Sequence, residues 1–354
     1  MSKSGYAEVI GGASGSGGFG VAWFGDGSDG DFVVANGTTH SEPVALDSGV
    51  IIKQYKNLTI EYNAVWQPAN RCNMTKILVS GDLTLDGTMT FNKLAPLLND
   101  AETEVLKDEH WNLCNANTQL KGGNGGTAGT GYCKTSYGGN VGSAGTGGVG
   151  HELGGGNGGG SGGIGAKDAN TQYDPSKAYS GASGDPRPPI GTVIPYAPAS
   201  VSDSKYGTGG GASSTKGGAG PGGSGGLDIQ SQTNGGGPSK VGNDGDALGG
   251  GCVIIFVKGR VRIGASGVLS ADGGSGAQGA MYSTNYKVAS GGGGGGGGGI
   301  IVIIHSGDFV NSGSVHANGG PGGAAGSTSF GYAGNNGESG TVLISALSKL
   351  SAAS

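Results

Sequence analysis

Short apolar stretches separated by turn residues run through most of this chain, and their period predicts strands. Phe32-Val-Val34, Val50-Ile-Ile52, Leu58-Thr-Ile60 and Ile77-Leu-Val79 are divided by segments containing Gly, Asn and Asp. Leu83-Thr-Leu85 and Met89-Thr-Phe91 alternate apolar with polar, as a strand with one buried face does. Val253-Ile-Ile-Phe-Val257 and Ile300-Ile-Val-Ile-Ile304 are unbroken apolar runs that belong in a core. Residues 77–91, 254–273 and 301–319 share a layout: an apolar strand, a Gly turn and an alternating strand, with a further Gly turn and short strand in the later two. Such repeats predict the stacked rungs of a solenoid or prism. One helical stripe stands out, formed by Leu94, Leu97, Leu98, Ala101, Val105 and Leu106, with Pro96 placed for a first turn. It predicts a connecting helix over 94–107.

Glycine changes the picture of the second half. The chain has 354 residues, of which 85 are Gly and only 12 Pro. Collagen needs Gly at every third position and far more proline, and triplets such as Gly122-Gly-Asn and Gly125-Gly-Thr soon lose phase. A disordered glycine tail has no apolar residues to offset its ordering entropy. Here the run Gly291–Gly299 leads directly into Ile300, so the glycines are tied to a core. From Lys121 to Ala166, and again from Tyr206 to Gly226, Gly-Gly-x and Gly-x-Gly triplets dominate. They fit extended, polyproline-II-like strands with three residues per turn, packed side by side and joined by N–H to C=O bonds. Nine residues in that conformation span roughly 28 Å at about 3.1 Å per residue. The expected fold is therefore mainly β: a short-strand, solenoid- or prism-like region, one short connecting helix, and a glycine-rich lattice.

Charge and motifs narrow the chemistry. A net charge of −5 and the absence of a basic stripe argue against a nucleic-acid partner. No apolar stretch approaches a membrane span, and Met1-Ser-Lys-Ser-Gly-Tyr6 carries no apolar signal segment, so assembly in a cytoplasm is expected. Cys72, Cys114, Cys133 and Cys252 form no C-x-x-C pair, which argues against zinc and leaves free thiols, or disulfides in an oxidising compartment. The sequons at Asn36, Asn57 and Asn73 are read as chance. G-x-G-x-x-G recurs as expected at this glycine content, and no copy opens the helix of a βαβ unit. Asp26-Gly-Ser-Asp-Gly-Asp31 looks like a calcium loop, but Gly37 stands where a bidentate Glu is required, so a turn is the better reading. Asn243-Asp-Gly-Asp246 reads as a turn too. His40, His110, His151, His305 and His316 lack ligand spacing, although His305 and His316 could meet across the third repeat. Asp82, Asp86, Asp272 and Asp308 fall at repeat turns, where Asp is favoured for local hydrogen bonds rather than for glycoside hydrolysis. No cofactor, metal or enzymatic activity is expected.

Aromatic segments interrupt the glycine. Residues 167–206 hold Tyr173, Tyr179, Arg187, Tyr196 and Tyr206; residues 280–288 hold Met281, Tyr282, Tyr286 and Lys287; residues 328–332 hold Phe330 and Tyr332. Tyrosine gives a rigid, amphipathic contact at low entropy cost, which suits recognition. The alternative is that these rings only cover the lattice edge.

Gly25-Asp-Gly-Ser-Asp-Gly-Asp-Phe32, Tyr55-Lys-Asn-Leu-Thr-Ile60, Val79-Ser-Gly-Asp-Leu-Thr-Leu-Asp-Gly-Thr88 and the glycine-rich half that follows, in that order, resemble tail-fibre and receptor-binding proteins of tailed bacteriophages. The glycine-rich half is similar to the adhesin tips of T-even-type phages, which fold as a sandwich of polyglycine-II helices; unlike them, this chain carries its own N-terminal β-region. The resemblance implies a virion adhesin that binds a bacterial surface receptor, an outer-membrane protein or glycan, through loops on a rigid scaffold. It also implies contact with other tail or baseplate proteins, commonly as a homotrimer, without membrane insertion. The expected organisation is a virion-attachment segment (1–24), a β-strand region (25–92), a helical connector (93–120), a glycine-rich domain with embedded β-repeats (121–346) and a C-terminal tail (347–354). Two other readings stay open: a purely structural tail component, and an ice-binding protein with a flat lattice face, against which the 167–206 segment counts.

Overall fold

A computed structural model describes residues 21–46, 49–95, 109–117, 120–127, 129, 132–133, 182–183, 210–211, 247–276, 281–283, 288–289, 292–325 and 332–350. A 3-10 turn at Val21–Phe24 precedes eight strands: β1 (Asp31–Val34), β2 (Thr39–Glu42), β3 (Val50–Tyr55), β4 (Asn57–Ile60), β5 (Val65–Pro68), β6 (Met74–Val79), β7 (Leu83–Leu85) and β8 (Thr88–Thr90). Helix α1 (Glu109–Asn117) follows, then the two-residue strands β9 (Tyr132–Cys133), β10 (Ala182–Ser183) and β11 (Gly210–Gly211). The repeat pattern resumes with β12 (Cys252–Val257), β13 (Val261–Ile263) and β14 (Val268–Ser270), and after β15 (Met281–Ser283) and β16 (Val288–Ala289) with β17 (Ile300–His305), β18 (Phe309–Asn311) and β19 (Ser314–His316). The described chain closes with β20 (Thr341–Ala346) and the short α2 (Leu347–Leu350).

Fifteen of these strands form three parallel five-stranded sheets, ordered β1-β4-β7-β13-β18, β2-β5-β8-β14-β19 and β3-β6-β12-β17-β20. The chain visits the three sheets in the same cyclic order five times, so the connectivity is that of a coil with three strands per turn. The three sequence repeats lie on successive turns, with Ile77, Ile255 and Ile303 paired in one column, Leu83, Val261 and Phe309 in the next, and Met89, Leu269 and Val315 in the third.

Side-chain alternation decides what faces the interior. Leu58, Ile60, Trp66, Ile77, Leu83, Met89, Ile255, Leu269 and Ile303 from all three sheets form one buried cluster inside the coil. The third sheet is buried on its other face as well, where Met74, Cys252, Ile254, Phe256, Val302 and Ile304 meet Phe24 of the 3-10 turn, Trp111 and Cys114 of α1 and Leu347 of α2. That double burial is why β12 and β17 read as unbroken apolar runs while β7 and β13 alternate.

Glycine at one corner has a steric origin. A Cβ on Gly259 would strike the Gly81 carbonyl, and one on Gly307 the Gly259 carbonyl, because successive turns stack there without room for a side chain. An Asx ladder runs beside them. Asn57 Nδ2 donates to Asp31 Oδ1 (2.7 Å), Asp82 N to Asn57 Oδ1 (2.8 Å) and Arg260 N to Asp82 Oδ1 (2.8 Å). Asp82 thus lies at a repeat turn, but its carboxyl bonds the next turn of the coil through Arg260 N and not, as expected, its own loop.

The expected helix over 94–107 falls outside the described residues except for Leu94 and Ala95, which are not helical; the helix found starts at Glu109. The sheets also run across the expected boundaries at 92 and 121, since β6 pairs directly with β12 and β7 with β13. The glycine-rich stretches are insertions at one corner of the coil. Between the second and third sheets the link is short in the first two turns (Glu42 to Val50, Pro68 to Met74). In the next three it expands to residues 91–251, 271–299 and 317–340.

Candidate functional site

The three expanded corners run side by side. Segments 121–129, 271–276 and 317–325 lead away from the coil, and 247–251, 292–299 and 332–340 return to it. Segment 292–299 sits among the other five. Gly292, Gly295 and Gly298 donate their N–H groups to the carbonyls of Tyr332, Asn335 and Glu338 (3.0, 2.9 and 2.8 Å). The same three residues accept from Gly129, Gly126 and Gly123 (each 2.8 Å). Gly296 and Gly299 donate to Gly274 and Ala271 (2.8 and 2.7 Å), Gly293 and Gly296 accept from Gly323 and Gly320 (2.8 and 2.7 Å), and Gly297 accepts from Gly250 (2.9 Å). In four of the five neighbouring segments the partners recur at an interval of three residues.

The same period governs space. A Cβ on Gly295 or Gly298 would meet the carbonyl of Gly320 or Ala317, one on Gly296 or Gly299 that of Leu248 or Gly251, and one on Gly297 that of Gly123. None of these glycines has a left-handed φ, so glycine is needed here for close approach and not for an unusual backbone angle. Residues 292–299 are all buried, and the backbone groups named above are hydrogen-bonded to neighbouring backbone, as a dry interior favours.

Outer segments place glycine inward and side chains outward. Along Tyr332-Ala-Gly-Asn-Asn-Gly-Glu-Ser-Gly340 the glycines are half-buried and the other six residues exposed. Asn124 Nδ2 donates to Glu338 Oε2 (2.7 Å), Asn335 Nδ2 to Thr127 Oγ1 (2.6 Å) and Thr341 Oγ1 to the Lys121 carbonyl (2.6 Å), giving rungs three residues apart. Sequence reading missed this polar row, although the Gly-x-x period of 332–340 was the signal that could have revealed it.

The direction of the six segments has a consequence for the aromatic candidates. Residues 130–246, 277–291 and 326–331 connect outgoing to returning segments; their described flanks lie at the pole remote from the coil, except Ala247, which lies level with Gly296. Tyr173, Tyr179, Arg187, Tyr196 and Tyr206 belong to the first, Tyr282 and Tyr286 to the second and Phe330 to the third, while Tyr332 is the first described residue after it. The first two connections are joined by a small antiparallel sheet ordered β15-β16-β9, in which Val288 pairs with Cys133 and Ala289 with Tyr132. Tyr282 contributes backbone to this sheet through β15. Tyr332 is 67% exposed. Tyr173, Tyr179, Arg187, Tyr196, Tyr206, Tyr286 and Phe330 lie outside the described residues.

Other polar groups among the described residues bond within the fold. Ser28 N donates to Asp26 Oδ1 (2.8 Å), and the Ser28 hydrogen bonds hold the Asp26 carboxyl below its usual pKa, as in a turn. His305 Nδ1 meets the Gly307 carbonyl (2.6 Å) and its ring stacks on Phe309, whereas His316 Nδ1 meets Asp272 Oδ1 (2.8 Å), so the two histidines are engaged separately. Asp86 takes both oxygens to Arg262 Nη1 (2.9 and 2.7 Å). Cys72, Cys114 and Cys252 are buried and outside any disulfide; burial pushes Cys72 up to about 11 and raises Cys252 further. At the first turn Glu42 accepts from Lys53 Nζ (2.6 Å) and pairs with His40 Nε2 (2.9 Å). Burial works to raise its pKa, but those two partners overcome it and leave the carboxyl below its usual value.

Among the described residues no group of His, Cys, Asp and Glu is arranged to hold a metal ion, and no helix is long and apolar enough to cross a membrane. No protein-family model matches the chain, and no curated protein or solved structure matches it.

Proposed function

We propose that this chain is a tail-fibre or adhesin protein of a tailed bacteriophage, binding a bacterial surface receptor through the connections at the outer pole of its glycine segments. The observation that carries this reading is topological: three aromatic-bearing connections of different length are inserted at one corner of the coil, through glycine segments hydrogen-bonded to one another. Recognition sites are typically loops held by a rigid frame. On this reading the glycine segments form a polyglycine-II-type sandwich. Its support is the three-residue recurrence of hydrogen bonds and of steric contacts around Gly292–Gly299. At about 3.1 Å per residue those eight glycines extend roughly 25 Å from the coil. Tyr332, Tyr282, Tyr286, Phe330 and the tyrosines of 173–206 are the contact candidates. Residues 1–20 are the candidate attachment to other tail or baseplate proteins. The four residues that follow belong to the fold, since Phe24 is buried and Trp23 stacks on Phe256.

Fluorescently labelled, purified chain added to a panel of bacterial strains tests this. Strain-selective binding that competes with phage adsorption, and that weakens at least ~10-fold when Tyr173, Tyr179, Tyr196 and Tyr332 are changed to Ala, is the expected result. Folded chain that binds no strain would leave a purely structural tail component.

A further inference from the structure

The two ends of the coil are finished differently. At the first turn, Asp29 clamps the outer edge of β3: its N–H donates to the Gln54 carbonyl (2.9 Å) and its Oδ2 accepts from Gln54 N (2.6 Å), while Lys56 N reaches the Gly30 carbonyl (2.7 Å). The register places His40, Glu42 and Lys53 toward the interior there, in the columns of Trp66, Pro68 and Ile77, and Val44 from the following loop packs on the core. Inward charges and a covered edge are how native sheets refuse further strands.

The last turn has neither device. Beyond the bonds to β13, β14 and β17, the free edges of β18, β19 and β20 carry no backbone hydrogen bond to any described residue. The inward positions hold Phe309, Asn311, Val315, Val342, Ile344 and Ala346, with no charge among them. Phe309, Val315 and Ile344 are only partly buried against the core, and Val342 is 40% exposed. An unpaired, uncharged edge is a template for another edge.

We propose that this end is a dimer interface on which a second copy of the chain stacks, last turn against last turn. Stacking a first turn there would set Lys53 over Ile344 and His40 over Val315 and bury the Glu42–Lys53 charge pair at an apolar joint, which is costly. A two-fold axis perpendicular to the coil instead pairs one sheet with itself and exchanges the other two, all antiparallel. The strand lengths select which. β18 and β19 have three residues each and β20 has six, so the axis through the third sheet joins β20 to β20 of the second copy and β18 to β19 of the second copy without overhang. An isologous interface of this kind closes and does not polymerise. The three edges offer about 40 Å of strand, and a strip about 10 Å deep gives roughly 400 Å² per copy, the range of weak and reversible association. This inference goes beyond the adhesin reading and does not depend on it.

Sedimentation velocity on the full chain through the micromolar range tests the proposal. A monomer–dimer equilibrium is expected, weakened at least ~10-fold by Val342→Lys and unchanged by Val33→Lys, which alters an exposed residue of the first turn. Hydrogen exchange on the unmodified chain decides independently of any folding defect in Val342→Lys: amides in β18, β19 and β20 should slow as concentration rises. A monomer at every concentration, a trimer, an open-ended polymer, or a dimer that leaves those amides unchanged would overturn it.

Discussion

Inside the coil, strands touch within each sheet through backbone, and the space between sheets is filled by side chains such as Ile255, Leu269 and Trp66. Around Gly292–Gly299 backbone meets backbone in every direction described, through hydrogen bonds to five neighbouring segments. The first arrangement draws its stability from apolar area removed from water and tolerates small changes of shape. The second has almost no side-chain area to bury and depends on closely approaching, hydrogen-bonded peptide groups. The coil supplies the anchor for that second arrangement, because every described glycine segment that returns to it enters a strand of the doubly buried third sheet.

A one-carbon change in each region sharpens this contrast. Gly297→Ala would drive a methyl onto the Gly123 backbone, which cannot move aside as a side chain could. We expect a loss of about 3 kcal/mol or more, above the usual cost of overpacking, seen as a drop in the thermal midpoint or loss of soluble protein. Ile255→Val removes one carbon from the coil interior and should cost about 0.5–1.5 kcal/mol in denaturant unfolding. If Gly297→Ala proved as mild as Ile255→Val, the close backbone packing would be wrong.

The smallest effect belongs to the capped end of the coil. Glu42 has a folded pKa below its unfolded value of about 4.5, so its contribution is complete above the unfolded value and is lost as pH falls through the lowered folded one. Acid unfolding of Glu42→Gln, followed by the fluorescence of buried Trp66, should depend less on pH in that window than unfolding of the unmodified chain. No change in the pH profile would show that the Lys53 and His40 contacts do not act on folding.

Most strands were legible because inward apolar residues alternate with polar ones, as in Leu83-Thr-Leu85. β2 and β5 were not. Thr39-His-Ser-Glu42 turns a histidine and an acid inward, and Val65-Trp-Gln-Pro68 puts a proline at an inward position, so neither resembles a strand by composition. The three repeats were visible, but their union into one coil was not, because the pairing of Ile77 with Ile255 spans an insertion with no local signal of its own. α1 escaped notice since only Trp111, Leu113 and Cys114 mark its packed face among polar residues. For the candidate site, the sequence exposed the aromatic segments by contrast with glycine. What it could not show is that all three depart from the same corner of the coil, which only the strand register reveals.

Amide hydrogen exchange resolved along residues 292–305 tests the central claim most directly. Gly292–Gly299, despite lacking side chains, should exchange as slowly as the neighbouring strand β17. Exchange of those glycines at the rate of an unstructured peptide, with β17 still protected, would contradict it.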